Sequence, residues 1–108
     1  MRLFKSLGRV GGVDGPVSTL GPNSGTIIVA GLKTIPAYGN RAGLRLASDP
    51  AGTGTVYILG GTGTPSATNF HAALSPGQSW DGEVTQSIWT GQVQLYCSGS
   101  IAVGVWEV

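Results

Sequence analysis

Gln92-Val93-Gln94-Leu95-Tyr96 carries the clearest two-residue period in the chain. Apolar Val93 and Leu95 alternate with polar neighbours, so in an extended strand they share one face and are predicted to be buried. The reading extends outward from there. Ser98-Gly99-Ser100 reads as a turn, and Ile101 to Val108 as a closing strand with Ile101, Val103 and Val105 on one face. Trp106 falls on the opposite face, a position suited to plain packing or to sealing an interface. Upstream, Thr90-Gly91 turns the chain, and Glu83 to Trp89 alternates with Val84, Gln86 and Ile88 opposite Thr85, Ser87 and Trp89.

Further upstream the pattern repeats at spacings near ten residues. Thr26-Ile27-Ile28-Val29-Ala30 is apolar and β-branched, as in a strand covered on both faces, and Leu32 to Ile35 continues it to Pro36. Gly43-Leu44-Arg45-Leu46-Ala47 alternates with Leu44 and Leu46 inward. The turn Asp49-Pro50-Ala51-Gly52 feeds a strand from Thr55 to Leu59. Gly60 to Ser66 reads as a loop, Ala67 to Leu74 as a further strand, and Ser75-Pro76-Gly77 as a tight turn with Pro and Gly in type II order. No segment has a helical period. Seven or eight short strands predict an antiparallel β-sandwich or jelly-roll-like barrel over residues 26–108. Residues 1–25 are punctuated too often by Gly and Pro for a regular element and read as an extended N-terminal arm.

The chain has 108 residues, enough for one domain with a modest core. Only 10% of them are charged and the net charge is +1, well below the roughly 25% of ordinary domains. A surface of this kind does little to repel other copies, which favours association. No basic stripe exists to neutralise a phosphate backbone, so no nucleic-acid partner is expected. The single cysteine, Cys97, allows no intrachain disulfide. The basic start Met1-Arg2-Leu3-Phe4-Lys5 is not followed by an apolar signal-peptide region, and no run approaches a membrane helix. These features predict a chain made in the cytoplasm, without a membrane partner, that gains stability by assembling.

Catalytic equipment is sparse. His71 is the only histidine, and no Gly-x-Ser-x-Gly elbow accompanies it, so it is read as a surface residue. Cys97 has no basic neighbour and reads as a small buried hydrophobe. Asp81 and Glu83 share a face on a strand and resemble a glycosidase or Ca²⁺ pair only superficially, since five acidic residues in all leave little to complete either site. Gly60-Gly61-Thr62-Gly63 lacks the Lys and the helix of a phosphate loop. No catalytic residue, metal site or cofactor is expected.

One ordered set of motifs has a familiar look. It runs Asn40-Arg41-Ala42-Gly43-Leu44, Gly54-Thr55-Val56-Tyr57-Ile58, Leu74-Ser75-Pro76-Gly77-Gln78-Ser79, Gly91-Gln92-Val93 and Glu107-Val108. This resembles the pattern N-R-x-G-L, G-x-V-Y-I, L-x-P-G-x-S, G-x-(I/V), EV of small tailed-phage virion proteins. The resemblance covers the last two-thirds of the chain. Where that family places G-x-I-Y, Gly91 here leads into Val93, Leu95 and Tyr96. The resemblance implies a β-sandwich that decorates or cements a capsid, or forms the base of a head or tail fibre.

The expected function is therefore a non-enzymatic capsid decoration or cement protein on the outer surface of the virion, a dimer or trimer, with the major capsid protein as partner. A head- or tail-fibre base or adaptor is the alternative within the same class. Arg2, Phe4, Lys5, Leu7 and Arg9 of the arm are expected to contact the partner, with Tyr38, Trp89 and Trp106 as aromatic anchors from the body. A second class, a carbohydrate- or receptor-binding module, would stack sugars on Tyr57, Trp80 and Trp89. A third, a glycan hydrolase, would rest on Asp81 and Glu83.

Overall fold

A computed structural model describes residues 20–84 and 87–108. The described chain is all-β, with an antiparallel sheet nearly closed into a barrel. Its organising element is β8 (Val93–Glu107), which contains the alternating segment. β1 (Gly25–Ile35) lies along one edge of β8 for its whole length, from Gly25 opposite Val105 to Ile35 opposite Val93. The other edge is shared. β3 (Val56–Gly60) pairs with the first half of β8, and β2 (Leu44–Ser48) with the second. β4 (Ala72–Leu74) extends the sheet beyond β3, and β5 (Ser79–Asp81) beyond β2. β6 (Glu83–Val84) and β7 (Ser87–Ile88) form a small separate ladder.

The two wings curl toward each other and are joined by the turn after β4. Gly77 has φ = 84°, the left-handed value that the Pro-Gly order predicts. Ser48, inward at the end of β2, fixes this closure. Its Oγ donates to the Ser75 carbonyl at 2.7 Å and accepts the Gln78 N–H at 3.1 Å. Inside lie Val29, Leu44, Leu46, Val56, Ile58, Leu74, Val93, Leu95, Cys97, Ile101, Val103 and Val105, all buried. The inward phases read for Leu44 and Leu46 in β2, and for Val93, Leu95, Ile101, Val103 and Val105 in β8, are those observed.

Four expectations are corrected. Ser98-Gly99-Ser100 does not reverse the chain, because β1 pairs with β8 on both sides of it. Between Val29 and Gly31 β1 advances two residues while β8 advances from Ile101 to Cys97, so the extra residues form a bulge that bends the strand. Thr26 to Ala30 is not covered on both faces. Only Val29 is buried there, because β1 lies at the outside of the sheet. The strand expected over Ala67 to Leu74 is confined to Ala72–Leu74, since Ser66 and Asn69 exchange backbone hydrogen bonds in a tight loop before it. Glu83 to Trp89 is not one strand. β6 and β7 pair with each other, and the Trp89 N–H is drawn back to the Gly82 carbonyl at 2.8 Å.

Candidate functional site

The last strand carries two very different faces. Alternation places Glu107 inward with Ile101, Val103 and Val105, and Trp106 outward. A carboxylate on an inward face needs a partner, because an unpaired buried charge is too costly to keep. Arg41 supplies it at 2.7 Å, and both side chains are 0% exposed.

Every donor of the Arg41 guanidinium is engaged. Nε and Nη2 donate to Glu107 Oε2, Nη1 donates to the carbonyls of Trp89 (2.8 Å) and Gly91 (3.0 Å), and Nη2 also donates to that of Pro36 (3.0 Å). Glu107 further accepts the Asn23 N–H at Oε1 (2.9 Å) and the Asn23 amide at Oε2 (3.0 Å). Burial pushes the Glu107 carboxyl up. The Asn23 N–H and amide and the Arg41 guanidinium outweigh that and hold it below the usual carboxylate range. Gly21 passes directly over this carboxylate, where a Cβ would collide with Oε1, and its N–H donates to the Glu107 carbonyl. Five segments of chain thus converge on one ion pair. Sequence reading did not find it, although both members stand in the quoted motifs and the strand period already turns Glu107 inward.

On the outside, Trp106 is 56% exposed. Its row across the sheet runs Asp81, Arg45, Trp106, and the Arg45 guanidinium grips Asp81 through Nε to Oδ1 at 2.9 Å. The next row runs Ser79, Ala47, Gly104, Thr26, and beyond it Ala102 faces Ile28. Ala47, Ala102 and Gly104, two methyl groups and a bare backbone, make a flat shelf above which the indole stands. Shallow clefts of about 340 Å³ flank it on either side. Leu44, Asp81, Ile88 and Val108 line one, and Thr26, Ala47 and Gly104 line the other. Trp and Arg on an uncharged shelf are the residue types that anchor protein contacts.

The other expected contact residues are placed differently. Arg2, Phe4, Lys5, Leu7 and Arg9 lie outside the described residues. Tyr38 is half-buried, and its backbone N–H donates to the Thr90 carbonyl at 2.9 Å. Trp89 is half-buried against the core, with its indole N–H donating to the Gln92 carbonyl at 2.9 Å, and Trp80 also packs against the core. Tyr38 and Trp89 therefore sit beside the Arg41 network and not with Trp106. Tyr57 packs against Phe70 with ring centroids 5.4 Å apart. His71 is exposed, and its Nδ1 accepts the Gly60 N–H at 3.1 Å. Cys97 is fully buried. Among the described residues no group of three His, Cys, Asp or Glu side chains is placed to hold a metal ion.

No known protein family, curated protein or solved structure matches the chain.

Proposed function

We propose that the chain is a non-enzymatic virion structural protein, a capsid decoration or cement subunit that docks on the major capsid protein. The observation that carries this reading is the Trp106 face. It presents an exposed indole over a shelf of small residues, with one neutralised ion pair at its side. Such a face suits a flat protein surface that it can desolvate cheaply. The phage-protein motifs support the reading in another way. Their Arg41, Gly43, Leu44 and Glu107 belong to the ion-pair network and the strand beside it, so these motif residues build the scaffold that carries the outward face. Trp80 and Trp89, two of the three platforms of the sugar-stacking reading, are half-buried against the core, whereas Trp106 stands exposed, which favours the docking reading.

The test is quantitative mass spectrometry of purified particles, followed by rebinding of wild-type and Trp106→Ala protein to particles stripped of it. A copy number near that of the capsid subunit supports decoration or cement. A copy number of one vertex or tail supports a fibre base or adaptor. Absence from particles, or rebinding of Trp106→Ala at wild-type strength, overturns the docking reading. The variant is expected to unfold within about 0.5 kcal/mol of wild type, because its side chain is outside the core.

A further inference from the structure

Among the described residues β1 pairs with β8 alone, so its second edge carries backbone N–H and C=O groups with no strand beside them. The strand is 11 residues long, about 36 Å at 3.3 Å per residue. Proteins blunt such edges with Pro, several charges or short length. β1 holds one charge, Lys33, and contains no Pro. Two of its residues are large, apolar and exposed, Ile28 at 56% and Leu32 at 51%.

The outward residues of β1 are Thr26, Ile28, Ala30, Leu32 and Thr34, all exposed. Read in either direction this series is Thr, aliphatic, Ala, aliphatic, Thr. In a two-fold antiparallel strand pair residue i meets j while j meets i, so about Ala30 this series sets like against like. With Ala30 on the axis, Ile28 faces Leu32 of the second copy, Thr26 faces Thr34, and each contact occurs twice. Aliphatic and Thr–Thr pairs of this kind are favourable across strands. The inward residues also agree. Lys33 faces Ile27 of the second copy, and the two Lys33 side chains stand about 20 Å apart along the strand, beyond the screening length. Val29 faces Gly31, whose left-handed φ of 81°, beside the register shift of β1 against β8, takes the strand out of the extended conformation next to the axis, a departure that a residue without a side chain tolerates.

We infer that β1 is the contact strand of a two-fold homodimer, in the register that sets Ile28 against Leu32 of the second copy. This does not rest on the virion reading, and the occupant is a second copy because the palindromic face complements itself.

The experiment is sedimentation equilibrium on the full chain at micromolar concentration, with circular dichroism as the folding control. Wild type is expected at twice 10.9 kDa. Ile28→Lys and Leu32→Glu, each present twice in a dimer, are each expected to weaken association by about a hundredfold. Ile28→Lys combined with Leu32→Glu is expected to recover it to within about tenfold, because the introduced ammonium then faces the introduced carboxylate. Ala30→Cys is expected to give a disulfide-linked dimer on oxidation, while Thr26→Cys, which does not face itself, is not; native Cys97 is buried. A monomeric wild type, single variants that still dimerise, a double variant that stays dissociated, or no cross-link through position 30 would each overturn the inference. A chain whose own residues 1–19 cover β1 would give the first of these results.

Discussion

Replacing Glu107 by Gln keeps the shape of the side chain and removes only its charge. The structure sets the consequence. Oε2 accepts three donors and Oε1 one, whereas a Gln amide has one oxygen and one NH₂ group. If the oxygen stays with Arg41, the NH₂ group points at the Asn23 N–H, donor against donor. Arg41 also keeps its full charge with no countercharge at 0% exposure. Breaking a buried pair in this way costs about 3–5 kcal/mol, a large share of the 5–15 kcal/mol typical of such a domain. Arg41→Met should cost more than Glu107→Gln. It strips donors from the carbonyls of Pro36, Trp89 and Gly91 as well as leaving Glu107 unpaired. The assay is urea unfolding followed by tryptophan fluorescence. With a slope of about 1–3 kcal/mol/M, the midpoint should fall by about 2 M for Glu107→Gln. A loss below about 1 kcal/mol for Glu107→Gln, or a smaller loss for Arg41→Met, would refute the account of the pair as the lock of the fold.

Three further outcomes are expected. Glu107 is held below its ordinary pKa when folded, so the unfolded chain takes up the proton first as pH falls. The pair's stabilisation is complete above about pH 4.3 and is lost as pH drops through the lower folded value; urea midpoints measured from pH 6 to pH 2 should fall in wild type and stay flatter in Glu107→Gln. Leu46→Ala, at a fully buried position in the middle of β2, should cost about 2–5 kcal/mol in the same assay. Arg45→Ala breaks an ion pair in solvent and should change stability by no more than about 1 kcal/mol, while weakening whatever binds beside Trp106 in a pull-down.

Strand phase was legible in the sequence and strand neighbourhood was not. Val93, Leu95, Ile101, Val103 and Val105 point inward as their two-residue period requires, and Trp106 outward, because alternation is a property of a single extended chain. Whether a strand has company on both sides is not local. Thr26 to Ala30 has the composition of a central strand and lies at an edge. Ser98-Gly99-Ser100 has the composition of a turn, but β1 continues the ladder past it and the Thr53 N–H reaches the Ser100 carbonyl at 3.4 Å, so tertiary pairing overrides the local preference. The ion pair joins residues 66 apart. The inward phase of Glu107 announced that a cation was needed, but nothing near it in sequence said which one.

The position of β8 in chain order has a consequence for biosynthesis. β1, β2 and β3 are paired with β8 and not with one another. As the polypeptide leaves the ribosome, the uncharged Thr26-Ile27-Ile28-Val29-Ala30 segment therefore waits unpaired on either side until Val93–Glu107 has followed it out. A nascent chain stalled before residue 93 has only the short pairings of β2 with β5, β3 with β4 and β6 with β7. Such a fragment exposes a β-prone segment of the kind that other chains can capture. Assembly of this sheet therefore waits on β8, and its aggregation hazard is greatest just before Val93–Glu107 emerges.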